Sequence, residues 1–480
     1  MTCHSEKKRA VRGVSRLLLA GVAGGVINGV VGLGSIGGQA YAQAPSPILL
    51  EHVRLFDGTS KVEQEDMAVL VQGTRIVSVG QTGHLTAPKD VKRINLSGKT
   101  LIPGLITDHS HVGLVSGTSV GAENFTVPVI KTALDQYERY GVTTVTALGL
   151  TKSPLFDDLR RAQHAAGATG ADLFGVDQGI GVPGGMPPEG MVKVGKDQIF
   201  RPATVDEAQQ AVRTMASEHT DLVKIWVDDF RNGVSSQKPL PVMQSEIWQA
   251  VIKEAHNQHL RVAAHIHDLD YGKRLVGAGA DIIAHGVRDE PVDAAFITAM
   301  KDRGVWYIPT ISLDEATYLF AEQPEILNDP VLKAGLNADL QKQFSDPAWR
   351  QKIASSPLAR ASHAAVAMNQ KNLLTLYRAG VKIGFGTDSG AAPVRIPGFA
   401  EHRELHLLVE AGLTPLQALT LATSQAAALL NLPDRGVIAP GKRADFVVLE
   451  ADPAENIAAV DQIAAVWRGG ARVAGPLVPR

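Results

Sequence analysis

Short apolar runs, each closed by a Gly- or Asp-containing turn, alternate along residues 101–431 with segments whose apolar positions repeat at helical spacing. Runs of that length and β-branched content read as buried strands, and the segments between them as amphipathic helices. The predicted strands are 101–107, 142–147, 172–177, 222–227, 261–266, 281–285, 305–311 and 382–387. Helices are expected between them, for example over 204–217, 245–258 and 414–430. Strict strand–helix alternation implies a parallel α/β architecture, and eight strands make a closed (β/α)8 TIM-like barrel the economical choice. A doubly wound open sheet is less well supported, because no Gly-rich phosphate turn follows the first strand. Residues 312–378 are too long for a simple connection, so extra helices that shape the pocket or cover it are expected there.

The two ends are patterned differently. Residues 48–100 and the tail from Asp434 carry short strands separated by Gly and Asp turns, as in GVIAPGKRADFVVLEAD, which predicts small antiparallel sheets. Both ends together would form a small composite β-sandwich, giving expected units of 43–100, 101–431 (the barrel) and 432–480. Residues 1–42 read as a signal peptide. Basic residues at Lys7, Lys8, Arg9, Arg12 and Arg16 precede an uncharged run from Leu17 to Gly38, and Ala40-Tyr41-Ala42 has the small-x-small form of a cleavage site. Cleavage after Ala42 is expected; an uncleaved membrane anchor is the alternative, and the eight glycines of the run lower its hydrophobicity. A periplasmic or secreted protein with no stable membrane span after processing follows.

Composition narrows the class. In 480 residues, 45% are hydrophobic and 20% charged, as in a globular protein with a substantial core. The net charge of −2 falls to about −6 once the leader is removed, and no basic stripe is present, so nucleic acid is excluded as a partner. Cys3, the only cysteine, lies in the leader, so no disulfide is available to the mature chain. A small molecule is the expected partner, and a homo-oligomer is compatible with this composition.

Six candidate metal ligands follow the apolar runs, at the strand ends where a parallel barrel collects its active site. They are His109 and His111 in LITDHSHVGL, Lys224 in LVKIWVDD, His265 in RVAAHIHD, His285 in DIIAHG and Asp388 in IGFGTDSG. Imidazoles two apart on an extended strand share a side and can reach one ion. Lys224 sits among apolar neighbours, where an ammonium must lose its proton or find a partner. It pairs with Asp228 or Asp229, points out at the strand end, or stays neutral and takes up carbon dioxide as a carbamate, a bidentate anionic ligand for two ions. Asp388 suits both a metal ligand and a proton shuttle, although G-T-D-S-G also suits a turn. His267, on the same side as His265, reads as a substrate contact, a ligand or a rim residue. Arg395 either holds a substrate carboxylate or is an exposed loop residue, and Met186 in a stiff Met-Pro-Pro stretch hints at an apolar substrate. His402 and His406, and Asp177 with Gln178, are weaker pocket candidates.

Together PGLITDHSH, VKIW, VAAHIH, IIAHG, GTDSG, HRELHLLVEAGLTPLQAL and GVIAPGKRADFVVL resemble the amidohydrolase superfamily, specifically its imidazolonepropionase-like and prolidase-like branch. The resemblance covers nearly all of the mature chain. It implies a barrel with a composite β-sandwich and zinc, Zn2+, two per chain, bridged by carboxylated Lys224. His109 and His111 would bind the more buried ion and His265 and His285 the other. Asp388 would bind the first ion and act as general base and acid while a metal-bridged hydroxide attacks an amide, peptide or related C–N bond. Two departures bear on substrate. Gly184-Gly185-Met186-Pro187 stands where many prolidase-like relatives have a GGHG-type loop, and His267 where several have tyrosine. Lactone, ester or phosphotriester hydrolysis on the same site is an alternative reading, as are deamination and a non-catalytic barrel. Deaminases generally need a glutamate near the fifth or sixth strand, and neither His265-Ile266-His267 nor Ala284-His285-Gly286 supplies one. A barrel that had lost its chemistry would be expected to lack ligands, whereas all six positions are filled.

Overall fold

The structure is a computed structural model that describes residues 46–165, 167–189, 192–231 and 239–478. The predicted leader lies outside these residues. Among the described residues, no helix is long and apolar enough to cross a membrane.

The chain opens with five strands, β1 (Ile48–Leu55), β2 (Gln64–Gln72), β3 (Arg75–Gln81), β4 (Lys92–Asn95) and β5 (Thr100–Pro103). Then come β6 (Leu105–Ser110), a two-stranded ribbon of β7 (Val115–Ser116) and β8 (Ser119–Val120), β9 (Val142–Leu148) and β10 (Asp172–Val176). Strands β11 (Val223–Trp226), β12 (Val262–His265), β13 (Ile282–Ala284), β14 (Trp306–Ile308) and β15 (Lys382–Ile383) follow, each separated by helix. The tail adds β16 (Phe446–Leu449), β17 (Ile463–Arg468) and β18 (Ala471–Ala474).

Both ends of the chain meet in one eight-stranded sheet of order β18-β17-β16-β5-β1-β2-β3, with β4 beside β1. Strand β16 from the tail pairs antiparallel with β5, so the last fifty residues complete a sheet begun by the first. The expected antiparallel pairing joins β1 to β2, β2 to β3, β5 to β16, β16 to β17 and β17 to β18, whereas β1 runs parallel to both β4 and β5. Leu50, Val53, Val69, Phe446 and Trp467 form its buried apolar face.

The eight predicted parallel strands are present as two sheets, β6-β9-β10 and β11-β12-β13-β14-β15. Isolated parallel bridges lie at both seams, Ser110 with Ser389 and Ile180 with Ile225. There His111 N donates to Ser389 O (2.7 Å) and Ile180 N to Lys224 O (2.8 Å). The first predicted strand, 101–107, is divided: residues up to Pro103 belong to the end sheet and β6 begins at Leu105. Gly104 permits the division, because a Cβ there would lie 2.3 Å from Thr143 Oγ1. Strand β14 stops earlier than predicted, because Thr310 turns into the left-handed region (φ 48°) and starts a helix at Ile311.

Helix Val205–Ser217 shows how local sequence sets the layers. Thr204 and Glu207 form a capping box at its start. Ala208, Ala211, Val212 and Met215 then present one buried face to the strands. Residues 312–378 hold the expected extra helices, ending in the long helix Pro357–Arg378. The predicted helix over 414–430 is continuous in direction but passes through a π-type turn at Leu421–Gln425.

Candidate metal centre

The ends of β6, β11, β12 and β13 and the segment after β15 bring His109, His111, Lys224, His265, His285 and Asp388 together, all buried. The His109 and His285 rings are 4.4 Å apart by centroid, and His265 and His285 4.5 Å. Asp388 Oδ1 lies 3.2 Å from His109 Nε2 and 3.1 Å from His111 Nε2. One ligand atom each from His109, His285 and Asp388 falls within 4.8 Å of the others, a spacing that one ion can span. This group takes one histidine from each expected pair, rather than both from one strand.

The second nitrogen of each ring is oriented by its surroundings. His111 Nδ1 is 3.1 Å from Gly149 O, so it donates and leaves Nε2 with its lone pair. His285 Nδ1 lies 3.0 Å from Thr310 Oγ1. His265 Nε2 donates to Asp228 Oδ2 (3.2 Å), which leaves Nδ1 without a partner among the described residues. Neither nitrogen of His109 makes an aligned hydrogen bond among those residues. Gly386 makes room for His109: a Cβ there would lie 2.6 Å from the His109 Cβ.

Lys224 is almost fully buried, so it does not point out at the strand end. Its Nζ is buried with no hydrogen-bond partner among the described residues, and packs 5.6 Å from the centroid of the Trp226 ring. Asp228 is taken by His265 and by the Phe230 amide, and Asp229 by Arg231 and Tyr271. The salt-bridge reading with either aspartate therefore does not hold. Burial lowers the Lys224 ammonium to about 7, which makes the neutral amine accessible. Burial first, and then the nearby Lys224 charge, push His109 down to about 3, and burial holds His265 and His285 low as well. Burial opposes the Asp388 carboxylate, yet the adjacent Arg395 guanidinium holds it well below its ordinary value. Neutral imidazoles, an ionised carboxylate and unpartnered buried nitrogens are the state that metal ligation requires. Left unfilled, each such atom costs roughly 1–3 kcal/mol, so the donor set fits a metal centre.

The centre opens on a cavity of about 370 Å³. Met186, His267 and Arg395 all line it, as do Trp226, Leu313 and Leu358. His267 Nδ1 is held by Asp268 (2.7 Å). Arg395 is ion-paired with Asp388 rather than lying free on a loop. The inserted helices contribute Leu313, Asp314 and Leu358 to the wall, as expected of residues 312–378. Asp177 and Gln178 do not line this cavity, and His402 and His406 instead bind Asp461 (2.7 and 2.9 Å). Sequence reasoning missed Thr310 and also Arg288, which lines the cavity and pairs with Asp314 (3.2 Å). Thr310 carried no motif, whereas Asp228 was visible only as a partner for Lys224.

A profile of the amidohydrolase family matches residues 100–473. An imidazolonepropionase from Streptomyces griseus is 24% identical over 433 residues, covering 87% of this chain and 95% of that one. A 5-methylthioadenosine/S-adenosylhomocysteine deaminase from Bacillus cereus is 22% identical over 423 residues, 83% of this chain and 84% of that one. Among solved structures, a Xaa-Pro dipeptidase with methionine in its active site superposes with a TM-score of 0.69 at 25% identity. It covers 90% of this chain and 100% of that one. The strand ends and the buried donor set thus sit within a chain that belongs to the amidohydrolase family, in its imidazolonepropionase-like and prolidase-like branch. It is a metal-dependent hydrolase acting on C–N bonds.

Proposed function

We propose that this chain is an exported dinuclear zinc amidohydrolase that cleaves an amide or peptide bond next to an apolar group. The observation that carries the reading is Lys224, a buried amine with no hydrogen-bond partner among the described residues, beside imidazoles held neutral. In this reading the two parallel sheets close at their seams into one (β/α)8 barrel over residues 101–431, with 43–100 and 432–480 forming the β-sandwich. The neutral Lys224 amine would add carbon dioxide and release a proton, giving an anionic carbamate that would serve as a further metal ligand. His109, His111 and Asp388 would hold one ion and His265 and His285 the other. Bound there, the ions supply Lewis-acid polarisation of a carbonyl and a water acidified towards pH 7.

The chain's own residues do the rest. Asp388, kept ionised beside Arg395, accepts the proton of the attacking water and hands it to the leaving nitrogen. Asp228 fixes the His265 ring, and Gly149 and Thr310 fix His111 and His285. Met186, Trp226, Leu313 and Leu358 exclude water from an apolar half of the substrate, and His267 and Arg395 orient its polar half.

The test is the Lys224→Met variant, which keeps side-chain length without the amine. Metal analysis of the wild type should return about two ions per chain, and the variant should lose at least one together with turnover on an amide and dipeptide panel. Freed of a buried amine, the metal-free variant should be more stable than metal-free wild type by roughly 1–3 kcal/mol in urea unfolding. One ion per wild-type chain and an active variant would remove Lys224 from the centre. Ammonia release from a purine nucleoside, without turnover of amides, would favour deamination. For export, N-terminal sequencing of protein from the periplasm or medium should begin at Gln43. An intact Met1 there would contradict the leader.

A further inference from the structure

We infer that Glu401 and Glu404, two fully buried carboxylates on the helix Phe399–Glu410, are positioning residues that hold both halves of the metal centre in register. The inference rests on the metal-centre reading above, and neither glutamate lines the cavity.

Glu401 serves the Asp388 side. Its Oε1 accepts from Thr387 Oγ1 (2.6 Å) and Ser389 Oγ (2.7 Å), and its Oε2 accepts from Gly398 N (2.8 Å). Thr387 and Ser389 flank Asp388, whose backbone is in the left-handed region at φ 59°. Tyr137 closes the cage from the other side, with its hydroxyl 2.6 Å from Ser389 Oγ.

Glu404, one helical turn further on, serves the His285 side. Its two oxygens accept from Ile311 N (2.9 Å) and Ser312 N (2.7 Å). These amides immediately follow Thr310, left-handed at φ 48°, whose hydroxyl lies against His285 Nδ1. His285 is itself left-handed at φ 81°. Non-glycine residues in that region are strained and persist only where their surroundings over-determine them. The helix supplies that constraint to both turns at once. It is anchored in its turn by His402, between Asp461 Oδ1 (2.7 Å) and Tyr140 O (2.9 Å), and by Arg403 on Glu315. Five donors converge on the two carboxylates, so acceptor-only groups are needed at both positions.

Glu401→Gln and Glu404→Gln test this without changing volume. At position 404 both oxygens face backbone N–H groups, so one end of the amide must meet a donor with a donor. The full-length metal-free chain would be titrated with Co2+ against a competing chelator, following the cobalt absorption bands. Each variant is expected to bind at least one ion 10–100-fold more weakly, with the unfolding midpoint of its metal-free form close to wild type. Asp461→Asn is the control, since it loosens the helix anchor without touching either turn. Unchanged Co2+ affinity in both glutamine variants would overturn the inference. So would a loss that tracks the unfolding midpoint as it does in Asp461→Asn. Should Glu401→Gln not accumulate, Thr387→Val removes one of its donors and reads the same link. A wild-type chain that binds no Co2+ would instead sink the metal-centre reading, before any variant is compared.

Discussion

Asp388→Asn should abolish most turnover, by about 10³-fold or more, while the chain still folds. Two losses combine at this one side chain. The amide cannot accept the proton of the attacking water, and it is a weaker ligand than the carboxylate that now sits 3.2 and 3.1 Å from the His109 and His111 nitrogens. The steric cost is small, because asparagine tolerates the left-handed backbone at this position better than most residues. Arg395 would lose its buried counter-ion, and some stability with it. The measurement is kcat and KM across pH, paired with metal content. Loss of kcat with metal retained isolates the proton-transfer role, and loss of both shows that ligation dominates. A variant with near wild-type kcat would place the base elsewhere.

Acid should unfold the chelated protein far more readily than the metal-loaded one, and the pH range follows from the buried histidines. Burial, reinforced by Lys224, holds His109 near 3 against an ordinary value of 6.5, and His285 is held well below 6.5 as well. As the pH falls below 6.5 the unfolded chain takes up these protons and the folded chain does not. Stability is therefore lost progressively from about pH 6.5 towards pH 3. Asp388, held below its ordinary value, adds a further loss at the acid end of that range. Each pKa unit is about 1.4 kcal/mol, so the cluster can remove several kcal/mol from a total stability of roughly 5–15 kcal/mol. Bound ions would oppose the effect, since they occupy the same nitrogens. Urea midpoints of chelated protein at pH 7.5, 5.5 and 4.5 would show it. A His109→Gln, His285→Gln double variant should flatten the slope, and an unaltered slope would assign the acid sensitivity to other groups.

Much of this molecule was legible along the chain because its information is local. Parallel strands buried on both sides are short apolar runs, and the candidate ligands follow them directly, so all six could be proposed from strand ends. Capping pairs such as Thr204 with Glu207 likewise need only neighbouring residues. The division of 101–107 at Gly104 was not legible, because the reason is a side chain, Thr143, in another strand.

The sequence by itself determined the order of strands and helices, the family and which residues are the candidate donors, since each depends on residue type and spacing. Only the tertiary structure decided the rest. That neither Asp228 nor Asp229 pairs with Lys224 depends on His265 and Arg231 claiming these carboxylates. That Arg395 faces Asp388, that His402 and His406 turn away to Asp461, and that Glu401 and Glu404 brace two distant turns are contacts between segments many residues apart. Pairing over such separations is set by how the strands and helices close on one another in space, and no local spacing along the chain encodes it.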